Sequence, residues 1–179
     1  MGGKTRDDRG TPRDHQHWEA VEEASELLVE ERFEDALREL KKTIETDPNN
    51  PYAYQLLGTT LWELEQIEPA RDAFKAAVLV APEFLAARVG LSHALRKLGD
   101  LGEAEREARV ALARFPGDGE ALHALGMAQA AKGDRRGAKQ SLEAYLATKP
   151  ELESTIEVRS VLEMLDLGDE GDPLELDDE

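Results

Sequence analysis

The sequence contains no cysteine. This absence excludes disulfide bonds, thiolate metal ligands and a cysteine nucleophile, and it leaves the redox compartment open. Aromatic residues are also scarce, at 5% of the chain, with only two tryptophans in 179 residues. A core with so few rings must be built largely from alanine and leucine, which favour helix. The composition therefore predicts a helical protein.

Long apolar runs are missing as well. No stretch approaches the roughly 20 apolar residues that a membrane-spanning helix needs. The polar N-terminus lacks the apolar segment of a secretory signal. The sequence therefore predicts a cytoplasmic protein with no membrane contact.

Basic residues are outnumbered, with 22 Lys and Arg against 39 Asp and Glu, and the net charge is -17. Such a chain repels the phosphates of nucleic acids and of anionic membranes. We therefore expect a protein or peptide segment as the partner, with basic character elsewhere on its surface, and no nucleic acid.

Catalytic motifs are not found in the sequence. It has no glycine-rich phosphate loop and no nucleophile beside a base, and its carboxylates are spread along helix faces as pairing at four-residue spacing would use them. We expect no enzyme activity, no cofactor and no metal.

A 34-residue period runs through the chain. Half of the eight prolines follow it, namely Pro48, Pro82, Pro116 and Pro150. Four further series keep the same spacing: Ala36, Ala70, Ala104 and Ala138; Ala24, Gly58, Ser92 and Gly126; Leu40, Phe74, Ala108 and Leu142; Glu23, Leu57, Leu91 and Leu125. Five series in one phase indicate a repeat protein.

Each period is predicted to hold two helices, A and B. In the second copy, Asn50 is a good N-cap, Pro51 suits the first helical turn and Pro69 can open the second helix. Gly99-Asp100 and Gly133-Asp134 pair a glycine that ends helix A with an aspartate that caps helix B. Gly58 and its counterparts are small because helix A there approaches helix B of its own repeat, and the alanine series is expected at the matching site.

These motifs resemble the tetratricopeptide repeat family, a 34-residue helix–turn–helix. The second copy matches it at Tyr54, Leu57, Gly58, Leu61, Ala70, Phe74, Ala77 and Pro82. The resemblance covers about residues 17 to 150. It implies an all-α fold, a right-handed superhelix (α-solenoid) of antiparallel helix pairs with a C-terminal capping helix.

The period and the resemblance together give the boundaries. They are a flexible polar N-terminus (1–16), a degenerate first repeat (17–50), three further repeats (51–84, 85–118 and 119–152), a capping helix (153–165) and an acidic disordered tail (166–179). The capping helix is expected to present a polar outer face to solvent, as such stacks require.

The family's inner helices line a groove that resembles a peptide-binding channel. The residues predicted to face it are Trp18, Tyr52, Gln55, Thr59, Trp62, Val89, His93, Arg96, His123 and Met127. Aromatic and arginine side chains are favoured anchors at protein interfaces. The two tryptophans have a second interpretation, in which they only pad helix contacts.

His93 and His123 lie on inner helices of adjacent repeats. They could form a metal-binding or pH-sensing pair. The interpretation we favour from the sequence is two solvated groove histidines.

Some members of the family hold chaperone C-termini with a clamp of Lys, Asn, Asn, Lys and Arg. The matching positions here are Val21, Ser25, Leu56, Ala86 and Gly90, and none fits. The sequence therefore predicts an adaptor or scaffold that binds another kind of protein segment. Two alternatives stay open, a dedicated chaperone for an export substrate, similar to the small acidic chaperones of type III secretion, and a self-assembling scaffold.

Overall fold

The computed structural model describes residues 12–167, and these residues form helices without any strand. The helices are α1 (Pro12–Glu19), α2 (Glu22–Val29), α3 (Phe33–Thr46), α4 (Pro51–Glu63), α5 (Ile67–Val80), α6 (Leu85–Lys97), α7 (Leu101–Arg114), α8 (Gly119–Lys132), α9 (Arg135–Ala147) and α10 (Leu152–Leu167). None of these helices is long and apolar enough to cross a membrane.

Four helix pairs keep the 34-residue phase: α2 with α3, α4 with α5, α6 with α7, and α8 with α9. Loops of two or three residues join the helices of a pair, which makes them antiparallel neighbours. The predicted all-α fold of helix pairs followed by one more helix is confirmed. The chain divides within α6 into two compact units, Met1–Ala87 and Arg88–Glu179.

The small residues of the repeat sit where helices A and B approach most closely. A Cβ at Gly58 would lie 2.6 Å from the Phe74 ring, and one at Gly126 would lie 2.6 Å from the Leu142 side chain. Ser92 instead donates its hydroxyl hydrogen to the Ala104 carbonyl oxygen at 2.8 Å. The close approach is as the sequence predicts. The nearest side chains of helix B at the two glycines are Phe74 and Leu142, and at Ser92 the partner is Ala104, a member of the alanine series.

Both predicted glycine–aspartate breaks form. Gly99 and Gly133 adopt φ values of 84° and 87°, in the left-handed region. Asp100 accepts from Glu103 N at 3.4 Å and Asp134 accepts from Gly137 N at 2.9 Å, so both aspartates are N-caps. In the first two copies the same left-handed position is occupied by a glutamate, Glu31 or Glu65, each at φ 57°. These glutamates hold a backbone conformation that side chains disfavour.

Glu65→Gly is therefore expected to raise the free energy of unfolding. The loop after α4 keeps its hydrogen bonds, since Glu65 N and Gln66 N donate to the carbonyl oxygens of Trp62 and Leu61 at 2.9 and 2.8 Å. Glycine removes the Cβ clash of the left-handed residue, for a gain of about 1 kcal/mol. Urea unfolding followed by circular dichroism measures it. The matched control is Glu65→Ala, which keeps the Cβ and should show no gain; equal gains in both variants would contradict this account.

The N-terminal region is more ordered than the sequence predicts. Residues 12–16, assigned above to a flexible segment, lie in α1, which is separated from α2 by a break at residues 20–21. His17 is buried, with its Nε2 3.1 Å from Asp47 Oδ2. The buried Asn50 amide donates to the His17 carbonyl oxygen at 2.8 Å. These contacts attach α1 to the chain just before α4.

The capping helix also differs from its prediction. α10 starts one residue earlier and ends two residues later than expected, and the rest of the predicted acidic tail, from residue 168, lies outside the described residues. Its inner face packs through Val158 against Leu142 and Tyr145. Its outer face is not the polar surface we expected, because large apolar side chains are exposed there, namely Leu152, Ile156, Met164 and Leu167.

Candidate functional site

The first unit carries three aromatic rings in contact, which we call the aromatic row (Trp18, Tyr52 and Phe84). The Trp18 and Tyr52 rings meet edge to face, with centroids 5.7 Å apart and an interplanar angle of 79°. The Tyr52 and Phe84 rings are 5.1 Å apart at 65°. Trp18 remains 45% exposed although it is packed on Tyr52. An amphipathic ring held in a fixed position and left open to solvent is a good anchor for a partner.

A cap at the start of α4 positions the aromatic row. The Asn50 side-chain oxygen accepts from Tyr52 N at 3.0 Å and from Ala53 N at 3.1 Å, which fixes the first turn of α4. The same side chain holds the carbonyl of His17, the residue before Trp18. The buried Asn50 therefore fixes the backbone beside both Trp18 and Tyr52. Burial raises the pKa of the Tyr52 phenol, and Asp14 adds to that rise, so Tyr52 is neutral at physiological pH.

Three further predicted residues continue along α4. Gln55 Nε2 donates to Thr59 Oγ1 at 3.2 Å, and the Thr59 hydroxyl donates to the Gln55 carbonyl oxygen at 3.3 Å. Trp62 lies almost one helical turn beyond Thr59 and is half-buried. Helical spacing places Tyr52, Gln55, Thr59 and Trp62 on one face of α4.

The second unit carries a second ring group, which we call the histidine cluster (His93, His123 and Tyr145). The His93 and His123 centroids are 5.4 Å apart, and the His123 and Tyr145 centroids are 5.0 Å apart. Helices α6, α8 and α9 each supply one ring. Within residues 12–167, no group of three or more His, Cys, Asp or Glu could hold a metal ion, so the histidine pair lacks the further ligands of a metal site.

The histidine cluster is buried enough to change its protonation. Burial lowers the pKa of His93 to about 4, with further lowering from His123 and from the Arg96 cation. Burial also lowers the pKa of His123, against the opposing effect of Glu157 and Glu120. Both imidazoles are therefore neutral at pH 7, and both are partly buried, so they are less solvated than the groove histidines that we favoured from the sequence.

Two nitrogen atoms beside the histidine cluster lack partners. Arg96 Nε and His123 Nε2 are buried and have no hydrogen-bond partner among the described residues. Burial lowers the pKa of Arg96, and the charge of Glu157 opposes that fall. Buried polar atoms are normally satisfied, so an unpaired guanidinium N–H marks a place where a hydrogen-bond acceptor would be stabilising.

Four of the ten predicted site residues belong to these two ring groups, namely Trp18, Tyr52, His93 and His123, while the other six lie outside them. Val89 is only 7% exposed, so it offers a partner almost nothing, whereas Gln55 and His123 in the same phase of the repeat are half-buried. Met127 packs partly against the core formed by Leu142, Tyr145 and Val158. Val89 is therefore a core residue and not a surface one.

Sequence reasoning missed several contributors. Phe84 precedes α6 and joins the aromatic row, and His17 is buried in a region expected to be flexible. Tyr145 follows the family pattern as a core residue, and only its ring contact links it to His123. For Phe84 the available signal is its phase, since it stands 34 residues after Asn50 in the position just before helix A.

Four helix pairs in one 34-residue phase, with small residues at each close approach, define a helical repeat protein of the solenoid class. Two family models, both described as tetratricopeptide repeat, match residues 27–89 and 85–128. Together they cover more than half of the chain. The chain belongs to the tetratricopeptide repeat family.

Three individual proteins that resemble this chain in sequence or fold share less than 30% sequence identity with it. DnaJ homolog subfamily C member 3 of Mus musculus is 27% identical over 125 residues, which is 70% of this chain but 25% of the relative's length. MamA (41-end) from Desulfovibrio magneticus RS-1 superposes with a TM-score of 0.73 at 19% identity, over 89% of this chain and 86% of that one. The first TPR of Spaghetti (RPAP3), bound to the HSP90 peptide SRMEEVD, gives 0.62 at 19% identity, over 67% and 95%. These structures share the fold.

Proposed function

We propose that this protein is a non-catalytic interaction module, an adaptor or scaffold that binds a segment of a partner protein. The observation that carries the proposal is the aromatic row. The Trp18 ring packs against Tyr52, and the Asn50 side chain holds the backbone of the preceding residue, His17. Trp18 is nevertheless 45% exposed. Burying such a ring against a partner removes a large apolar area from water with little further loss of side-chain freedom.

The histidine cluster adds a polar contact in the second unit. Arg96 is only partly buried as a residue, and its guanidinium is a donor for a carbonyl or carboxylate oxygen of the partner. Acidic side chains dominate the chain as a whole, so a partner with basic residues around its binding segment is favoured by long-range attraction. The cytoplasmic location expected from the sequence stays a prediction.

A fold neighbour supports peptide binding in general, because the RPAP3 domain was solved with a bound peptide. This chain does not match the clamp with which some family members bind chaperone C-termini. Two of its positions, Val21 and Leu56, are core residues here, 0% and 9% exposed. Apolar core side chains cannot bind a terminal carboxylate, so we propose that the ligand is an internal or apolar segment and not an acidic chaperone tail.

Trp18→Ala is expected to weaken peptide binding at least about tenfold, which corresponds to about 1.4 kcal/mol and is the lower range for an aromatic anchor. The probe is a fluorescent peptide selected from a random display library on the wild-type chain, and anisotropy gives its Kd. Because Trp18 is exposed, the variant should keep its helicity by circular dichroism.

Phe115→Ala is the matched control, since Phe115 is a 40% exposed aromatic residue in the loop after α7. It should bind the peptide with the wild-type Kd. Wild-type affinity in Trp18→Ala, or equal losses in both variants, would contradict binding at the aromatic row.

A further inference from the structure

The outer face of α10 carries an exposed apolar stripe (Leu152, Ile156, Met164 and Leu167). Its members are 76%, 60%, 62% and 71% exposed. Helical spacing places them on one side of the helix, together with the exposed Ser160, Glu153 and Glu163. A terminal helix of a repeat stack normally presents polar residues to water. Four large apolar side chains exposed on one side of a helix are typical of an interaction surface.

The opposite face of α10 is already occupied. Val158 is fully buried against Leu142 and Tyr145, and Val161 and Leu162 pack beside it. Lys139 pairs with Asp166 at 2.8 Å and fixes the C-terminal end of the helix. The apolar stripe is therefore an additional apolar face, and the packing of the unit's own core does not require it.

The repeat phase argues against a further helix B that would cover the apolar stripe. Ser160 continues the small series of Gly58, Ser92 and Gly126, the position where helix A meets helix B. However, Arg159 and Glu163 stand at positions where the second to fourth repeats have leucine or glutamine, which are buried or partly buried there. The sequence that follows also places Asp172 in the phase of four fully buried alanines. Residues 168–179 therefore lack the sequence pattern of a helix B, and seven of these twelve residues are acidic, like Glu163.

The apolar stripe is nearly symmetric about Ser160. Ile156 and Met164 each stand four residues from it, and Leu152 and Leu167 stand eight and seven residues away. A two-fold interface requires this self-complementarity, because residue i must meet residue j while j meets i. Two antiparallel copies of α10 would place Ile156 against Met164 of the second copy, with the small Ser160 at the crossing point.

We propose that the apolar stripe is the interface of a homodimer formed by two antiparallel α10 helices. The charges at the edge of the stripe agree with this pairing, since Arg159 of one copy would face Glu163 of the second copy, twice by symmetry. A foreign helix would need its own matching charges, whereas the second copy supplies them. The proposal rests on α10 alone and is independent of peptide binding at the aromatic row.

The dimer is expected to be weak and salt-dependent. One pair of short helices buries less than the roughly 1,200 Å² of a typical stable interface, which suggests a micromolar Kd. Each chain carries a net charge of -17, so the two copies repel each other at long range. Added salt screens this repulsion and should tighten the dimer. For a basic foreign partner the salt effect would be reversed.

Sedimentation of the full chain over about 1 to 200 μM, which brackets a micromolar Kd, tests the proposal. The wild type should shift from monomer to dimer, at lower concentration in 300 mM than in 50 mM NaCl. Ile156→Glu should raise the Kd at least about tenfold, because it places a charge in the apolar contact. The control is Leu79→Glu, since Leu79 is 73% exposed on α5, and it should dimerise like the wild type.

A charge exchange distinguishes self-pairing from any other contact. Arg159→Glu and Glu163→Arg should each weaken self-association, because each leaves like charges facing across the two-fold axis. An equimolar mixture of the two single variants should form a heterodimer, and the double variant should dimerise again. These residues are exposed, so neither change should disturb folding.

Several outcomes would overturn the proposal. They are a monomer throughout the concentration range, a dimer that survives Ile156→Glu, or no recovery in the mixed variants. A dimer seen only after removal of residues 168–179 would also overturn it, because it would make that segment the occupant of the apolar stripe in the full chain.

Discussion

Lowering the pH from 7 to 5 is expected to reduce the free energy of unfolding by about 2 kcal/mol through His93 alone. The folded pKa of His93 is about 4, because burial and the neighbouring His123 and Arg96 disfavour its charged form. The unfolded chain binds the proton near pH 6.5. The unfolded state therefore takes up more protons, and the folded state loses stability progressively as the pH falls from about 6.5 towards 4.

Neighbouring charges shape this transition. His123, whose pKa is also lowered by burial, adds in the same direction, while Glu157 and Glu120 moderate its shift. The charge of Arg96 disfavours a second cation beside it. Glu105 on α7 acts in the same direction, since its pairs with Lys132 and Arg109 lower its pKa below the ordinary value of 4.5, so its stabilising contribution is also lost as the pH falls. That loss takes place mainly below about pH 4.5, where an unfolded glutamate takes up its proton, so a comparison of pH 7 with pH 5 reports mainly on the histidines.

Urea unfolding at pH 7 and pH 5, followed by circular dichroism, measures the effect. Amide hydrogen exchange in α6 and α8 assigns it to the second unit. His93→Gln should remove most of the pH dependence, because the amide does not titrate. His15→Gln is the control, since His15 is an exposed histidine of α1, and it should keep the wild-type slope. An unchanged slope in His93→Gln would refute the role of His93.

Gly126→Ala is expected to destabilise the second unit by about 2 kcal/mol, even though alanine is the better helix former. The new Cβ would lie 2.6 Å from Leu142 Cγ and Cδ2 and 3.2 Å from the Leu142 backbone nitrogen. Leu142 is fully buried in a core with Tyr145 and Val158, so its side chain has little room to move. α8 and α9 would have to separate.

Gly102→Ala is the matched control, because a Cβ at Gly102 in α7 meets no atom within 4 Å. It should be neutral or gain up to about 0.5 kcal/mol, near the helix start. A double-mutant cycle with Leu142→Ala completes the test. Removing the leucine side chain relieves most of the clash, so Gly126→Ala should cost about 1 to 2 kcal/mol less in that background. Additive losses would show that the close contact is not the cause.

Much of the fold could be predicted because its signals are local or strictly periodic. Asn50, Asp100 and Asp134 cap helices through atoms two or three residues away, so their roles follow from the nearby sequence. Gly58 and Gly126 recur with the period and therefore indicated a close helix approach. The residue type of Glu31 and Glu65 does not indicate a left-handed conformation, and only their 34-residue phase with Gly99 and Gly133 does.

The candidate sites were predicted less completely, because they depend on contacts between helices. A 34-residue phase places Val89 and Gln55 alike, but the neighbours of each helix decide that Val89 is buried. Similarly, the sequence shows that His93 and His123 are near each other, whereas burial of their rings sets their charge.

By itself, the sequence determined the repeat, its helix pairs, its caps and the family, since the 34-residue period repeats the same pattern of helix packing four times. Only the tertiary structure decided which faces remain open. In the tertiary structure His17 is buried, Phe84 contacts the aromatic row and the apolar stripe of α10 is exposed. Exposure depends on which helix covers which face, and residues far apart in the chain decide that.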